Sequence, residues 1–459
     1  MINLSFYLPE IFILSLIIIS LLIGLYYKNS NTILLGLNFI GLILISLFYA
    51  FSPESFLGGE NSMIALSKII ILISTAIYIL MIKKSLDLDS IYRYEFLLFV
   101  LFAILGSFVL ISSDNFLTAF IGIEIQSLSL YLMASFNTKS LSSNEAGVKY
   151  FSLGALSSGF LLFGISMVYF DNSSIQFSEI NKITYFSEIG LAIIAISLFF
   201  KVAAAPFHIW TPDVYEGSPT ISVLFFATIP KLASLVFLFR FYNELNIKDY
   251  DSIDFIFKIV CILSLLIGAY GAITQKVIKR LLAFSSINHV GFILISIISF
   301  KFLSEGTFFF YLIIYLVTSF GVFSILISLR ADKEEITLIS QFSGLKTYSR
   351  SKSIALLILL FSLAGIPPFA GFFAKFFVLN AAINEGYIFI STIAVVTSVI
   401  AAFYYLRIIK NMFFDEPDSK IKVKSMFYNS ITYISSATFV TLFAIYPDPL
   451  IFLINSYFN

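Results

Sequence analysis

The chain has 459 residues, 59% of them hydrophobic and 12% charged, with a formal net charge of +1. Soluble globular chains carry about 25% charged residues, so a water-soluble fold is excluded, and so balanced a charge gives no support to a nucleic-acid partner. One cysteine, Cys261, rules out an internal disulfide and a thiolate cluster for zinc or iron–sulfur binding.

Apolar runs of about 20 residues, each the length of a bilayer-spanning helix, recur from end to end. Fourteen are expected: 7–27, 32–51, 63–83, 94–112, 115–135, 146–170, 189–209, 219–243, 255–274, 279–300, 306–330, 352–380, 387–411 and 427–456. The first has no basic region before it and no small-residue cleavage site, so it reads as a retained span. Short connections leave no room for a soluble domain, and backbone groups in lipid must pair within helices, so an all-α polytopic membrane fold is expected.

An ionised side chain at mid-bilayer costs at least about 2.5–3.5 kcal/mol, so each one needs a partner, water or a neutral state. Along the chain, Lys68 and Lys258 stand near segment ends, where a long stem snorkels to the headgroups, and are set aside. Glu124, midway along the fifth segment, is the acidic residue placed deepest and the natural partner for a buried lysine. Lys149 opens the sixth segment, where snorkelling and a place in a proton path are equally open. Lys201, Lys231 and Lys375 lie well inside apolar runs, where a desolvated lysine can alternate between charged and neutral forms.

Each of these three lysines neighbours proline. Pro206 cannot donate to the carbonyl of Val202, Pro230 frees that of Phe226, and Pro367 and Pro368 free those of Leu363 and Ala364. Freed carbonyls in a membrane need water or polar side chains, so these breaks are expected to mark hydrated cavities. His208, Asp213 and Glu216 follow the first break and are candidates to line an opening. His289 sits mid-segment beside Ser285, Ser286 and Asn288, where a side chain titrating near neutrality suits a relay, or simple hydrogen bonding inside the bundle. Two histidines in separate segments and one cysteine give no metal-ligand spacing, and Gly58-Gly59 reads as a turn rather than a phosphate loop.

With the N-terminus outside, 18 Lys and Arg fall on inner connections, Lys83, Lys84, Arg93, Lys279, Arg280 and Lys420 among them. Four fall outside, Lys182, Arg240, Lys248 and Lys301, an asymmetry that fixes orientation by the positive-inside rule. The breaks at Pro206 and Pro368 are 162 residues and five segments apart. A five-span repeat has odd parity, so segments 4–8 and 9–13 are expected to form inverted repeats with broken helices 7 and 12. Residues 1–459 then form a single membrane domain: peripheral spans in 1–90, repeats in 94–243 and 255–411, and a last span in 427–456.

The stretch KVAAAPFHIWTPDVYEGSPT from Lys201 and KRLLAFSSINHVGF from Lys279 resemble the seventh- and tenth-helix signatures of the antiporter-like subunits of respiratory complex I. HIWTPDVYEGSPT, and PKLASL around Lys231, are most similar to the subunit N branch. The resemblance covers essentially the whole chain. Lysine at 375, where subunit M usually has glutamate, and a chain ending after the fourteenth segment with no long lateral helix as in subunit L, set it apart from those branches.

The resemblance implies a proton-translocating subunit in a bacterial plasma membrane or mitochondrial inner membrane. Glu124 and Lys201 would be the fifth- and seventh-helix pair, Lys231 the central relay, His289 a connecting residue and Lys375 the twelfth-helix exit. It also implies that NADH, FMN, iron–sulfur clusters and quinone are bound by other subunits and none by this chain. The implied partners are a neighbouring antiporter-like subunit, the small quinone-side membrane subunits and the lipid bilayer. Two other readings stay open at this point, a large subunit of a multisubunit cation/proton antiporter and a structural membrane scaffold.

Overall fold

The apolar segments fold as α-helices, the form that pairs every backbone N–H and C=O within one segment. A computed structural model of the chain describes residues 7–27, 31–51, 62–88, 91, 93–180, 184–299, 305–331, 334–416, 421–424 and 426–455. Lys182, Lys301 and Lys420, counted in the charge asymmetry, and the Gly58-Gly59 turn lie outside the described residues.

Two compact units are present, one of residues 1–201 and 229–246, the other of 202–228 and 247–459. The first comprises α1 (Leu8–Tyr26), α2 (Asn31–Phe51), α3 (Ser62–Leu88), α4 (Glu95–Ile111), α5 (Phe116–Ala134), α6 (Leu141–Asn172), α7 (Tyr185–Val202, its last residue assigned to the second unit) and α10 (Ile229–Glu244). The second holds α8 (Trp210–Gly217), α9 (Thr220–Ala227), α11 (Asp251–Ile273), α12 (Ile278–Ile298), α13 (Glu305–Ser328), α14 (Leu345–Tyr348), α15 (Arg350–Ala364), α16 (Ala370–Asn384), α17 (Ile388–Phe414), α18 (Phe427–Ile445) and α19 (Asp448–Asn455). Residues 202–228, within the expected block 94–243, group with the second unit: breaks at both ends of this stretch let α8 pack on α12, and α9 on α12 and α13.

Among the described residues eleven helices are long and apolar enough to cross a membrane, or twelve if α18 and α19, bent by 94°, count as one span. The figure of fourteen needs α4 and the broken pair α15–α16 as well; α4 has 17 residues and falls short by length. The chain is a multi-pass membrane protein. In the second unit α12 and α13 are buried almost throughout, and α11, α15, α16, α17 and α18 surround them.

A small antiparallel sheet, order β2-β1-β3, joins two connections of the second unit: β1 (Leu329–Ala331) pairs with β2 (Glu334–Glu335) and with β3 (Ile421–Val423). Arg330 faces Glu335 in the β1–β2 register.

In the first unit α4 and α5 run backbone against backbone. A Cβ on Gly122 would stand 2.6 Å from the amide nitrogen of Leu110, and one on Gly106 2.5 Å from that of Gln126. Glycine at both positions brings α5 close enough for Gln126 Nε2 to bond Ser107 Oγ at 2.8 Å. The side chain of Asn115 accepts from the amide of Thr118 at 2.9 Å and caps α5, which places Glu124 near the middle of that helix.

Lys68 corrects a sequence-based expectation. It does not snorkel but is fully buried, 2.8 Å from Glu10, with Nζ 5.6 Å and 5.5 Å from the ring centroids of Tyr49 and Phe108. Position along a helix gives its depth but not its azimuth, and the azimuth points into the α1–α4 cluster. Lys258 is half-buried, paired with Asp254 at 2.5 Å and 5.0 Å from the Tyr387 ring centroid.

Candidate functional site

Three helices of the first unit bring Glu124, Ser158 and Lys201 together. The Ser158 hydroxyl, one helix over on α6, donates to Glu124 Oε1. Lys201 Nζ, at the end of α7, donates to Ser158 Oγ at 3.3 Å and to Ser127 Oγ at 3.0 Å. The acid and the amine are thus joined through one hydroxyl rather than by direct contact. A serine oxygen can accept from an ammonium while its hydrogen points at a carboxylate, which makes it a polarised spacer between two charges. Glu124 and Lys201 are half-buried, so the pair sits between the helix bundle and its outer surface.

Lys231 opens α10 and is 5% exposed. The preceding helix α9 stops at Ala227, and Thr228 between them has φ −120° and ψ −85°, so the chain breaks one residue before Ile229 and Pro230. Gln126 fixes this start: its Nε2 donates to the Pro230 carbonyl at 3.3 Å, which also accepts from Ser234 Oγ at 3.0 Å. Sequence reasoning does not single out Gln126 or Ser158. An amide two residues from a glutamate in an apolar helix, with serines at 127 and 129, is the one signal that points to Gln126, and no local signal points to Ser158.

In the second unit His289 Nδ1 lies 2.8 Å from the Tyr311 hydroxyl and Nε2 3.4 Å from that of Tyr405, which is itself hydrogen-bonded to Ser285. Lys375 Nζ donates to the carbonyl of Ala364 and to Ser398 Oγ, both at 2.9 Å, and stands 4.9 Å from the Phe292 ring centroid. That carbonyl is the one Pro368 cannot reach, so the break between α15 and α16 presents an acceptor to the ammonium. Gly365 ends α15 with φ +79°, and a Cβ there would meet Lys375 Cδ at 2.7 Å, so the position needs both left-handed backbone and an absent side chain. His289, Tyr311, Tyr315, Thr318 and Lys375 line a cavity with about 10 Å³ for the centre of a water molecule, about enough for one water. A second cavity of the same size, lined by Ala227, Ser285, Ser286, Tyr315 and Ser319, shares Tyr315 and Leu363 with it.

The remaining candidates lie elsewhere. Lys149 is half-buried on α6 and pairs with Glu145 at 2.7 Å. Asp213 and Glu216 both bind Arg280 Nη1, at 2.7 Å and 2.8 Å, so they form a clamp on the first turn of α12. His208 is half-buried in the break between α7 and α8, its ring 6.1 Å from that of Phe284. The breaks fall at the proline positions: Ala205-Pro206 and Pro367-Pro368 are cis, and in the first the amide of Ala205 donates to Ser264 Oγ at 2.9 Å. Among the described residues no three His, Cys, Asp or Glu side chains converge as metal ligands.

The family model described as "NADH:quinone oxidoreductase/Mrp antiporter, TM" matches residues 113–401, the stretch that holds all of these groups except Tyr405. A protein of Pelagibacter ubique named NADH-quinone oxidoreductase subunit N is 38% identical over 99% of this chain and 98% of its own. Among solved structures, a chain of respiratory complex I from Thermus thermophilus superposes with a TM-score of 0.84 at 26% identity, covering 97% of this chain and 98% of that one. A chain of the Mrp complex from Dietzia shares the fold alone, with a TM-score of 0.82 at 17% identity over 99% of this chain and 97% of that one. Family model, full-length relatives and fold agree, and the chain belongs to the NADH-quinone oxidoreductase subunit N family of antiporter-like membrane proteins.

Proposed function

We propose that this chain carries protons through the membrane arm of an NADH:quinone oxidoreductase, driven by electron transfer in partner subunits that hold NADH, FMN, iron–sulfur clusters and quinone. The observation that carries the reading is the Ser158 hydroxyl between Glu124 and Lys201. A carboxylate near a buried lysine favours the ammonium, and desolvation favours the neutral amine. At an effective dielectric of about 20, charges ~4 Å apart attract by about 4 kcal/mol and charges ~8 Å apart by about half that. Withdrawing Glu124 by a few ångströms therefore weakens the attraction between the two charges by about 2 kcal/mol.

In this scheme Lys201 loads against Glu124, Lys231 relays, His289 connects, and Lys375 discharges. Lys149, paired with Glu145 on the same helix as Ser158, has a place in the proton path on this reading. His208, with Asp213 and Glu216 held by Arg280, borders the route's aqueous opening. Pro206, Pro230, Pro367 and Pro368 keep the backbone broken beside each lysine. The two sets of broken helices act as inverted halves, with both termini facing outward.

The test is quinone-coupled proton uptake by the assembled complex in vesicles. Lys201→Ala and Glu124→Ala should each abolish or sharply reduce uptake while assembly persists, and undiminished pumping in both sinks the assignment. The shared fold with the Mrp chain keeps a cation/proton antiporter subunit as the second reading. Co-purification with flavin and iron–sulfur subunits decides between them.

A further inference from the structure

Glu335 on β2 is a half-buried carboxylate outside the proton route, and the fold of the second unit uses it at one end of a half-helix. Helix α9 has eight residues, and its first amides have no partner within the helix. Glu335 Oε1 accepts from the Thr220 amide at 3.3 Å and Oε2 from the Thr220 hydroxyl at 2.6 Å. A carboxylate there also complements the positive end of the helix dipole. Lys279, on the first turn of α12, lies 3.5 Å from the same carboxylate and donates to the Ser218 carbonyl at 2.8 Å, while Arg330 of β1 stands 3.8 Å away. Behind them the chain after β2 is hydrogen-bonded to the start of α12, Ile278 N–H to Thr337 O at 2.8 Å and Ile339 N–H to Lys276 O at 2.9 Å.

The other end of α9, roughly 12 Å away at 1.5 Å per residue, is Ala227. Ala227 is a wall of the cavity of Ser285, Ser286 and Tyr315, and Tyr315 is also a wall of the cavity between His289 and Lys375. We propose that Glu335 is a positioning residue for the proton route: it latches α9 to α12 and to the β1–β2 hairpin, and so fixes the wall that α9 gives to the hydroxyl-lined cavity beside His289. The inference rests on the proton-relay reading of that cavity. Burial opposes the Glu335 charge, but Lys279, Arg330 and the Thr220 hydrogen bonds outweigh it and hold the carboxyl below the usual carboxylate range, so the latch stays charged at neutral pH.

The experiment uses the assembled complex in vesicles, with proton uptake per electron and amide hydrogen exchange over 220–227 as the two readouts. Glu335→Gln should lower uptake per electron by ~2–30-fold, the range for residues that act through packed neighbours, and should speed exchange over 220–227. Glu335→Asp should restore part of both. Thr220→Val, which removes one hydroxyl and leaves every charge in place, should shift both readouts the same way by less, and it decides the matter if Glu335→Gln does not assemble. Unchanged exchange in the assembled variants overturns the latch, and faster exchange with undiminished uptake overturns its role in the route. Lys375→Ala runs alongside: if that variant pumps normally the relay reading itself fails, whatever α9 does.

Discussion

Two of the acid–lysine pairs in the first unit are built from the same three residue types and arranged oppositely. Glu10 and Lys68 touch at 2.8 Å, with the Ser112 hydroxyl 3.3 Å off to the side on the same carboxylate oxygen, and Lys68 is sealed among α1, α2, α3 and α4. Glu124 and Lys201 are held apart with Ser158 between them, and both reach partly to the surface. A closed, fully buried pair has no cheap way to open, because either charge left alone keeps its desolvation cost. A pair already parted by a hydroxyl can change its separation with little rearrangement. This contrast supports the proposed reading, in which the first is a fastener for the N-terminal helices and the second a movable element.

The largest effect expected from this contrast is on stability. Glu10→Gln, which removes the negative charge that faces the buried Lys68 ammonium, should destabilise the chain by up to about 3–5 kcal/mol, seen as lower yield or melting temperature, with proton uptake per assembled complex unchanged. Loss of uptake in stably assembled Glu10→Gln complexes would erase the distinction between the pairs. Next in size, Ser158→Ala removes a hydrogen bond shared by two charged groups, worth about 1.5–3 kcal/mol, and should slow proton uptake by ~10–100-fold with a small change in thermal stability. A purely stabilising Ser158 would reverse those two outcomes.

Smaller again, Ser398→Ala leaves Lys375 on the Ala364 carbonyl and removes one neutral partner, a loss of about 1 kcal/mol, read as a few-fold slower uptake. The smallest effect is on acid stability. Because the Glu335 carboxyl is held below its ordinary range, its contribution is fully present above the ordinary carboxylate value and is lost as pH falls through the lowered one. Acid unfolding of Glu335→Gln should lack that component, and an unaltered acid profile would show that Lys279 and Arg330 hold the hairpin without it.

Much of the molecule is legible in the sequence where the signal is local. Proline chemistry locates all three breaks, and the position of Pro368 is enough to name the carbonyl of Ala364 as freed. Glu124 and Lys201 can be paired as types, since each is costly alone in an apolar segment. Ser158 cannot be found this way, because serines are frequent in α6 and only the packing of α5, α6 and α7 selects one of them. Lys68 goes astray because distance from a helix end does not say whether a side chain faces lipid or protein; Glu10, an acid in a neighbouring apolar run, is the sign that it has a buried partner. The division of the chain at 202 and 228 is equally hidden, because where a broken half-helix packs depends on partners distant in sequence.

The acceptor that Ala364 offers to Lys375 is a main-chain atom. No substitution at 364 removes that oxygen, and a mutational scan would score the position by how well a side chain packs, silent to the contact beneath it. One of the two hydrogen bonds from the Lys375 ammonium described above is thus written in a proline four residues on, not in the residue that supplies the acceptor. Replacing Pro368 is therefore the way to edit a ligand that has no codon of its own.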